Sequence, residues 1–156
     1  MRREYVLTGS DHQQLARLVF PGFTSPAIVT LPGGESWSIH RIGLWKPRVT
    51  IHREGSRDPL AAARAYWSGS YDLEHPIDSV FRWSCVSAWK NEYAWTAFNG
   101  SPSMRFQSSS PFSQRAYTIT SEGPATDTRL LLVLLGGYLI AVTQEDIAAT
   151  TALVAG

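Results

Sequence analysis

The densest set of groups that could act on a ligand lies between His40 and Arg57, where Arg41, Lys46, Arg48, Arg53 and Arg57 face a single acid, Glu54. This stretch carries a net +4 in a chain whose total is +1, so it is the one marked charge asymmetry in the sequence. Arginine meets a phosphate through a planar bidentate fork and lysine as a point charge. Gly43 to Pro47 reads as a hairpin turn, which sets Lys46 at the tip with Arg48 and the other basic residues along the flanks. Such a hairpin has the chemistry to hold anionic lipid head groups through Arg41, Lys46, Arg48 and Arg53. A solvated basic hairpin is the plainer reading of the same residues. Trp45, beside Lys46 in that turn, suits a membrane interface, where tryptophan prefers headgroup depth; the alternative is a ring folded back over the sheet.

Other candidates carry less. His40 and His52 face each other if the hairpin is centred on Lys46, but a metal site needs a third ligand, and none is nearby in sequence. Cys85 sits in the apolar segment Phe81 to Val86, where a lone thiol is expected to be a small buried hydrophobe rather than a nucleophile. Ser87-Ala88-Trp89-Lys90 matches an S-x-x-K pattern without any of its companion motifs. No G-x-S-x-G, P-loop, dinucleotide glycine fingerprint or H-E-x-x-H occurs. The sequence nominates no catalytic residue, no metal site and no cofactor, and the expectation is a protein that is not an enzyme.

Composition narrows the field further. At 156 residues a chain buries roughly 70% of its unfolded surface, enough for a core without disulfides. One cysteine excludes disulfide scaffolds and thiolate zinc ribbons. The near-neutral balance argues against a protein built to neutralise a nucleic-acid backbone. Tyr5-Val6-Leu7 is followed at once by polar residues, so no secretory signal is visible and a cytoplasmic location is expected, peripheral to a membrane if the hairpin binds one.

The elements that must position these residues are mostly short strands. Trp37, Ile39 and Arg41 alternate with Ser38 and His40, Val49 and Ile51 with Thr50 and His52, and Tyr93, Trp95 and Ala97 with Ala94 and Thr96. Breakers fall between them at strand spacing, and Asn99-Gly100 predicts that the Tyr93 to Phe98 strand folds back onto Met104 to Gln107, with irregular pairing at Pro102. Pro59 to Trp67 and Asp11 to Val19 read equally as short helices or strands. No repeat or linker divides the chain, and one domain, 1–156, is expected.

Leu130 to Val142, LLLVLLGGYLIAV, is too short to cross a bilayer even as a helix: about 20 Å against a hydrocarbon core of about 30 Å. It reads as a hairpin turning at Gly136-Gly137, or as one buried helix in which each glycine costs about 1 kcal/mol. As a helix it is apolar on every face and must be covered all round. A sheet closed into a barrel around it would do that, with the glycines admitting close approach by the wall.

The order of these features resembles the tubby C-terminal-like superfamily, which includes the phospholipid scramblases and the LURP-one-related proteins. The resemblance rests on Gly34-Glu35-Ser36-Trp37-Ser38-Ile39, Tyr93-Ala94-Trp95 with the Phe98 to Phe106 hairpin, and the terminal apolar run, covering Ala27 to Val142. It implies a mainly β fold, a closed antiparallel barrel of short strands around a hydrophobic C-terminal helix. It also implies phosphoinositide or other anionic phospholipid binding through a basic surface. Nothing matches a scramblase calcium loop. Three functional readings follow: a lipid-binding domain acting through the His40 to Arg57 region, a carrier holding a small hydrophobic ligand in a barrel cavity, and a hydrolase using Cys85 or a serine. A protein-interaction scaffold is the remaining alternative.

Overall fold

The structure, a computed structural model, describes residues 3–9, 12–22, 25–66, 69–75, 81–97, 102–110, 113–121 and 127–155. Among the described residues, eleven strands precede one helix. They are β1 (Arg3–Thr8), β2 (Gln14–Phe20), β3 (Ala27–Thr30), β4 (Ser36–Ile42), β5 (Arg48–Arg53), β6 (Pro59–Ala65), β7 (Tyr71–His75), β8 (Phe81–Ser87), β9 (Glu92–Ala97), β10 (Pro102–Ser110) and β11 (Ser113–Ser121), followed by α1 (Asp127–Ala155). The strands lie in sequence order in one antiparallel sheet, each bonded to its neighbours in the chain. Contacts gather in two compact units, Met1–Arg82 and Trp83–Gly156.

The expected barrel is not formed. Among the described residues no ladder joins β1 to β11, so the sheet stays open. The helix needs cover on several sides, but that requirement concerns burial alone and does not dictate closure. Closure demands a further ladder with its own tilt and stagger.

In the first unit the period-2 pattern sets one apolar, buried face, and the other is covered too where Thr50 pairs with Ala62. Trp37 and Ile39 of β4, Val49 and Ile51 of β5, Val29 of β3 and Leu18 of β2 are all buried, while their neighbours Ser38, His40 and His52 lie on the other face, half-buried. Both segments that could be helical form strands where they are described, in β2 and β6; Trp67 lies outside the described residues. Ala61, Ala62 and Ala63 are fully buried in β6, which pairs with β5 on one side and β7 on the other. Ladders on both sides outweigh the preference of alanine for helix. Pro59 opens β6, a position where a strand tolerates proline. In β2 polar and apolar residues alternate: Ala16, Leu18 and Phe20 are buried, Leu15 and Arg17 exposed; Asp11 lies outside the described residues.

In the second unit β9 folds back on β10 with Trp95 opposite Met104 and Tyr93 opposite Phe106, and the register shifts between Pro102 and Met104. The turn at Asn99-Gly100 lies outside the described residues. The terminal apolar run is a helix and not a hairpin, and α1 begins three residues before it and continues to Ala155. Burial runs almost without interruption from Leu131 to Val142. Gly136 is the point of closest approach: a Cβ there would stand 2.5 Å from Phe106 Cζ and 2.8 Å from Trp83 Cζ3, whereas one on Gly137 would meet nothing within 4 Å. One buried hydrogen bond fixes the docking, from Trp95 Nε1 to the Leu132 carbonyl at 2.9 Å.

Candidate functional site

The β4–β5 hairpin carries the residues singled out in sequence. Its register pairs Ile42 with Arg48, His40 with Thr50 and Trp37 with Arg53, which centres the turn on Trp45 rather than Lys46. Gly43 takes a left-handed conformation with φ of 101°, open to glycine and strained for other residues. Pro47 closes the other side: it is buried, and its carbonyl accepts a 2.9 Å bond from the Ala65 amide of β6. The loop is short and held at both ends, so what it presents is set by the backbone. It presents apolar side chains. Leu44 is 95% exposed, Trp45 89% and Ile42 67%. The Trp45 ring therefore does not fold back over the sheet. Leu44 was not singled out from the sequence, although a leucine between a turn glycine and a proline was a usable signal.

The four cations do not converge. Alternation places Arg41 and Arg53 on the face of Trp37 and Ile39, and Arg48 on the opposite face. Arg41 pairs with Val49, and Arg53 lies four residues further along β5, about 13 Å away at strand rise. Arg53 Nε binds Glu35 Oε1 at 3.2 Å, and Glu35 also accepts from Trp37 Nε1. Arg48 Nε binds Glu74 Oε2 at 2.9 Å, and Arg64, directly across from Arg48, binds Glu74 Oε1 at 2.6 Å. Burial alone would raise the Glu74 pKa, but the hydrogen bonds and charges of Arg64 and Arg48 outweigh it and hold the carboxyl below its ordinary range. The row continues with Arg82, whose guanidinium binds Asp72 at 2.7 Å and lies over the Tyr66 ring. Arg64 and Glu74 escaped sequence analysis because their place beside Arg48 depends on registers across β5, β6 and β7. Arg41 and Lys46 remain exposed near the apolar tip.

The two histidines meet diagonally instead of face to face, with ring centroids 5.5 Å apart and nearly perpendicular planes. Each Nε2 is bonded to a hydroxyl on its own strand, His40 to Ser38 at 3.0 Å and His52 to Thr50 at 2.9 Å. Among the described residues no three His, Cys, Asp or Glu side chains gather as metal ligands would.

Cys85 is exposed, contrary to the buried position expected for it. Its neighbour Val86 on the other face is also exposed, so β8 at this point has outrun its cover on both sides. Tyr93 has its pKa pushed up to about 12, chiefly by burial, with smaller contributions from Cys85 and Tyr117. Ser87 of the S-x-x-K segment accepts a 3.3 Å bond from the Lys90 amide, a turn contact. Of the tryptophans, 37, 83 and 95 are buried and 45 and 89 exposed; Trp67 lies outside the described residues.

No helix among the described residues is long and apolar enough to cross a membrane. Comparison with known proteins finds no matching family model, no similar curated protein and no similar solved structure.

Proposed function

We propose that this chain is a non-enzymatic domain that binds anionic membrane surfaces through the β4–β5 tip, with Leu44 and Trp45 entering the interface and Arg41 and Lys46 meeting lipid phosphates. The observation that carries the reading is the exposure of Leu44 and Trp45 at a turn whose two ends are fixed. Two adjacent large apolar side chains held in water forgo about 1.5–3 kcal/mol each that burial would return. A convex tip cannot enclose a small ligand, but it can enter a fluid interface. Cations within reach of an anionic surface add about 1 kcal/mol each. Arg48 lies on the opposite face from Arg41 and binds Glu74, and Arg53 lies about 13 Å further along β5, so neither stands beside Arg41. The carrier reading loses its premise, since it placed the ligand in a closed barrel and the sheet is open.

Sedimentation with vesicles of phosphatidylcholine, with and without phosphatidylserine, tests this. The wild-type chain should bind the anionic vesicles and weaken in high salt. The Leu44→Ser, Trp45→Ser pair should bind at least about tenfold less, and Arg41→Gln with Lys46→Gln should remove most of the salt dependence. Absence of wild-type binding, or binding unchanged in the Leu44, Trp45 pair, refutes the reading and leaves a protein partner for the tip.

A further inference from the structure

The second unit has an exposed turn of its own. Between β8 and β9 the chain reverses through Ala88, Trp89, Lys90 and Asn91. Asn91 takes a left-handed φ of 50°, its amide reaches the Ala88 carbonyl at 3.4 Å, and Ser87 Oγ accepts from the Lys90 amide. Asparagine adopts this conformation more readily than most residues. The turn is mounted on a fixed base. Trp83 of β8 stacks on Tyr93 of β9, with centroids 5.5 Å apart and planes within 5°, and packs against Trp95. On that base Trp89 stands 91% exposed and Val86 half exposed. A tryptophan so placed touches almost nothing of its own unit, so core packing does not account for it.

We infer that Trp89 and Lys90 form a second membrane-contacting tip, belonging to Trp83–Gly156, in which the indole sits at headgroup depth and the lysine meets lipid phosphate. Three observations favour a bilayer over a protein. The ring is 91% exposed on its turn, so a protein partner would have to supply almost the entire pocket, whereas an interface needs none. Tryptophan followed by lysine repeats the order of Trp45-Lys46 in the other exposed turn. The nearest acid, Glu92, is buried and held by Arg105 Nη1 and Gln107 Nε2, each at 3.4 Å, so its charge is turned away from an anionic surface. The indole is apolar in body with one polar N–H, and a lysine stem can lie along the apolar zone while its ammonium stays in water.

This inference rests on the reading that the chain meets bilayers, and its test separates the two. Vesicles of phosphatidylcholine and phosphatidylserine would be titrated with wild type, Trp89→Ala, the Leu44→Ser, Trp45→Ser pair, and all three changes together. In the background lacking Leu44 and Trp45, Trp89→Ala should lower the remaining vesicle affinity about tenfold, the effect of about 1.4 kcal/mol. Quenching of tryptophan emission by brominated phosphatidylcholine should fall in Trp89→Phe. Because the ring is exposed, the thermal midpoint should not move, which separates lost binding from lost fold. Unchanged affinity and quenching in the Trp89 variants, beside a loss in the Leu44, Trp45 pair, overturns this inference and spares the first reading. No wild-type binding sinks both. Wild-type self-association abolished by Trp89→Ala also overturns it, by assigning the tip to a second copy of the chain.

Discussion

Gly136 and Gly137 are neighbours in one helix, and adding a methyl to each should have opposite effects. Either change to alanine removes a helix-interior glycine, which stabilises by about 1 kcal/mol. That gain is shared, so the difference between the variants isolates the steric term. At Gly137 the new Cβ meets nothing within 4 Å, and the gain stands. At Gly136 it would lie 2.5 Å from Phe106 Cζ and 2.8 Å from Trp83 Cζ3. Neither ring can swing aside: Phe106 is 1% and Trp83 2% exposed, and they contact each other edge to face with centroids 5.0 Å apart. Overpacking a closed core costs about 1–3 kcal/mol, and two locked rings place this case near the top of that range. Gly136→Ala should therefore destabilise by about 2 kcal/mol and Gly137→Ala stabilise by about 1. In urea, with a slope of about 2 kcal/mol per molar, the midpoints should fall by about 1 M and rise by about 0.5 M, with slopes unchanged. Equal midpoints, or a more stable Gly136→Ala, would refute the close approach of α1 to Phe106 and Trp83.

Two further outcomes follow from the hydrogen bonds and ion pairs. The depressed pKa of Glu74 gives a stabilising contribution that is present above the ordinary glutamate value of about 4.3 and lost as pH falls through the lower folded value. Thermal midpoints between about pH 6 and about pH 3 should thus drop more steeply for wild type than for Glu74→Gln, by a small margin because the cluster is partly exposed; parallel curves would show that Arg48 and Arg64 do not hold this carboxylate. Trp95→Phe should cost about 1–3 kcal/mol, since it removes the donor to the Leu132 carbonyl from a buried site. A urea midpoint matching wild type would mean that bond does not help fix the helix.

What the sequence disclosed was chiefly local. Alternation at Trp37 and Ile39, and at Val49 and Ile51, marks which side chains turn inward, because a strand displays its period within a few residues. The fold-back of β9 onto β10 was legible from the Asn99-Gly100 turn signal, and its irregularity from Pro102, which lacks a ladder donor. Register was harder: the β4–β5 turn is centred one residue from the expected position, which brings His40 and His52 together diagonally. Charge partners were harder still. Arg48 appeared as one of several cations, yet Arg64 and Glu74 reach it only through two ladders whose residues lie far along the chain. Ala61 to Ala63 misled because alanine favours helix when no ladder claims it. The barrel was a conclusion about global closure drawn from one helix, and no local pattern encodes closure.

The pairing of every strand with its sequence neighbour bears on how the chain reaches this state. Each ladder closes a loop of only a few to about a dozen residues, and loop-closure entropy rises slowly from a small value at such lengths. An antiparallel sheet usually gathers distant segments and forms slowly for that reason. Here each strand can dock on the one before it as soon as both exist, so the first unit needs nothing downstream of residue 82 to supply its ladders from β1 to β7. The helix is the exception. Its bond to Trp95 spans 37 residues, so in the second unit the long-range step comes with the docking of α1, after the local ladders are already available to receive it.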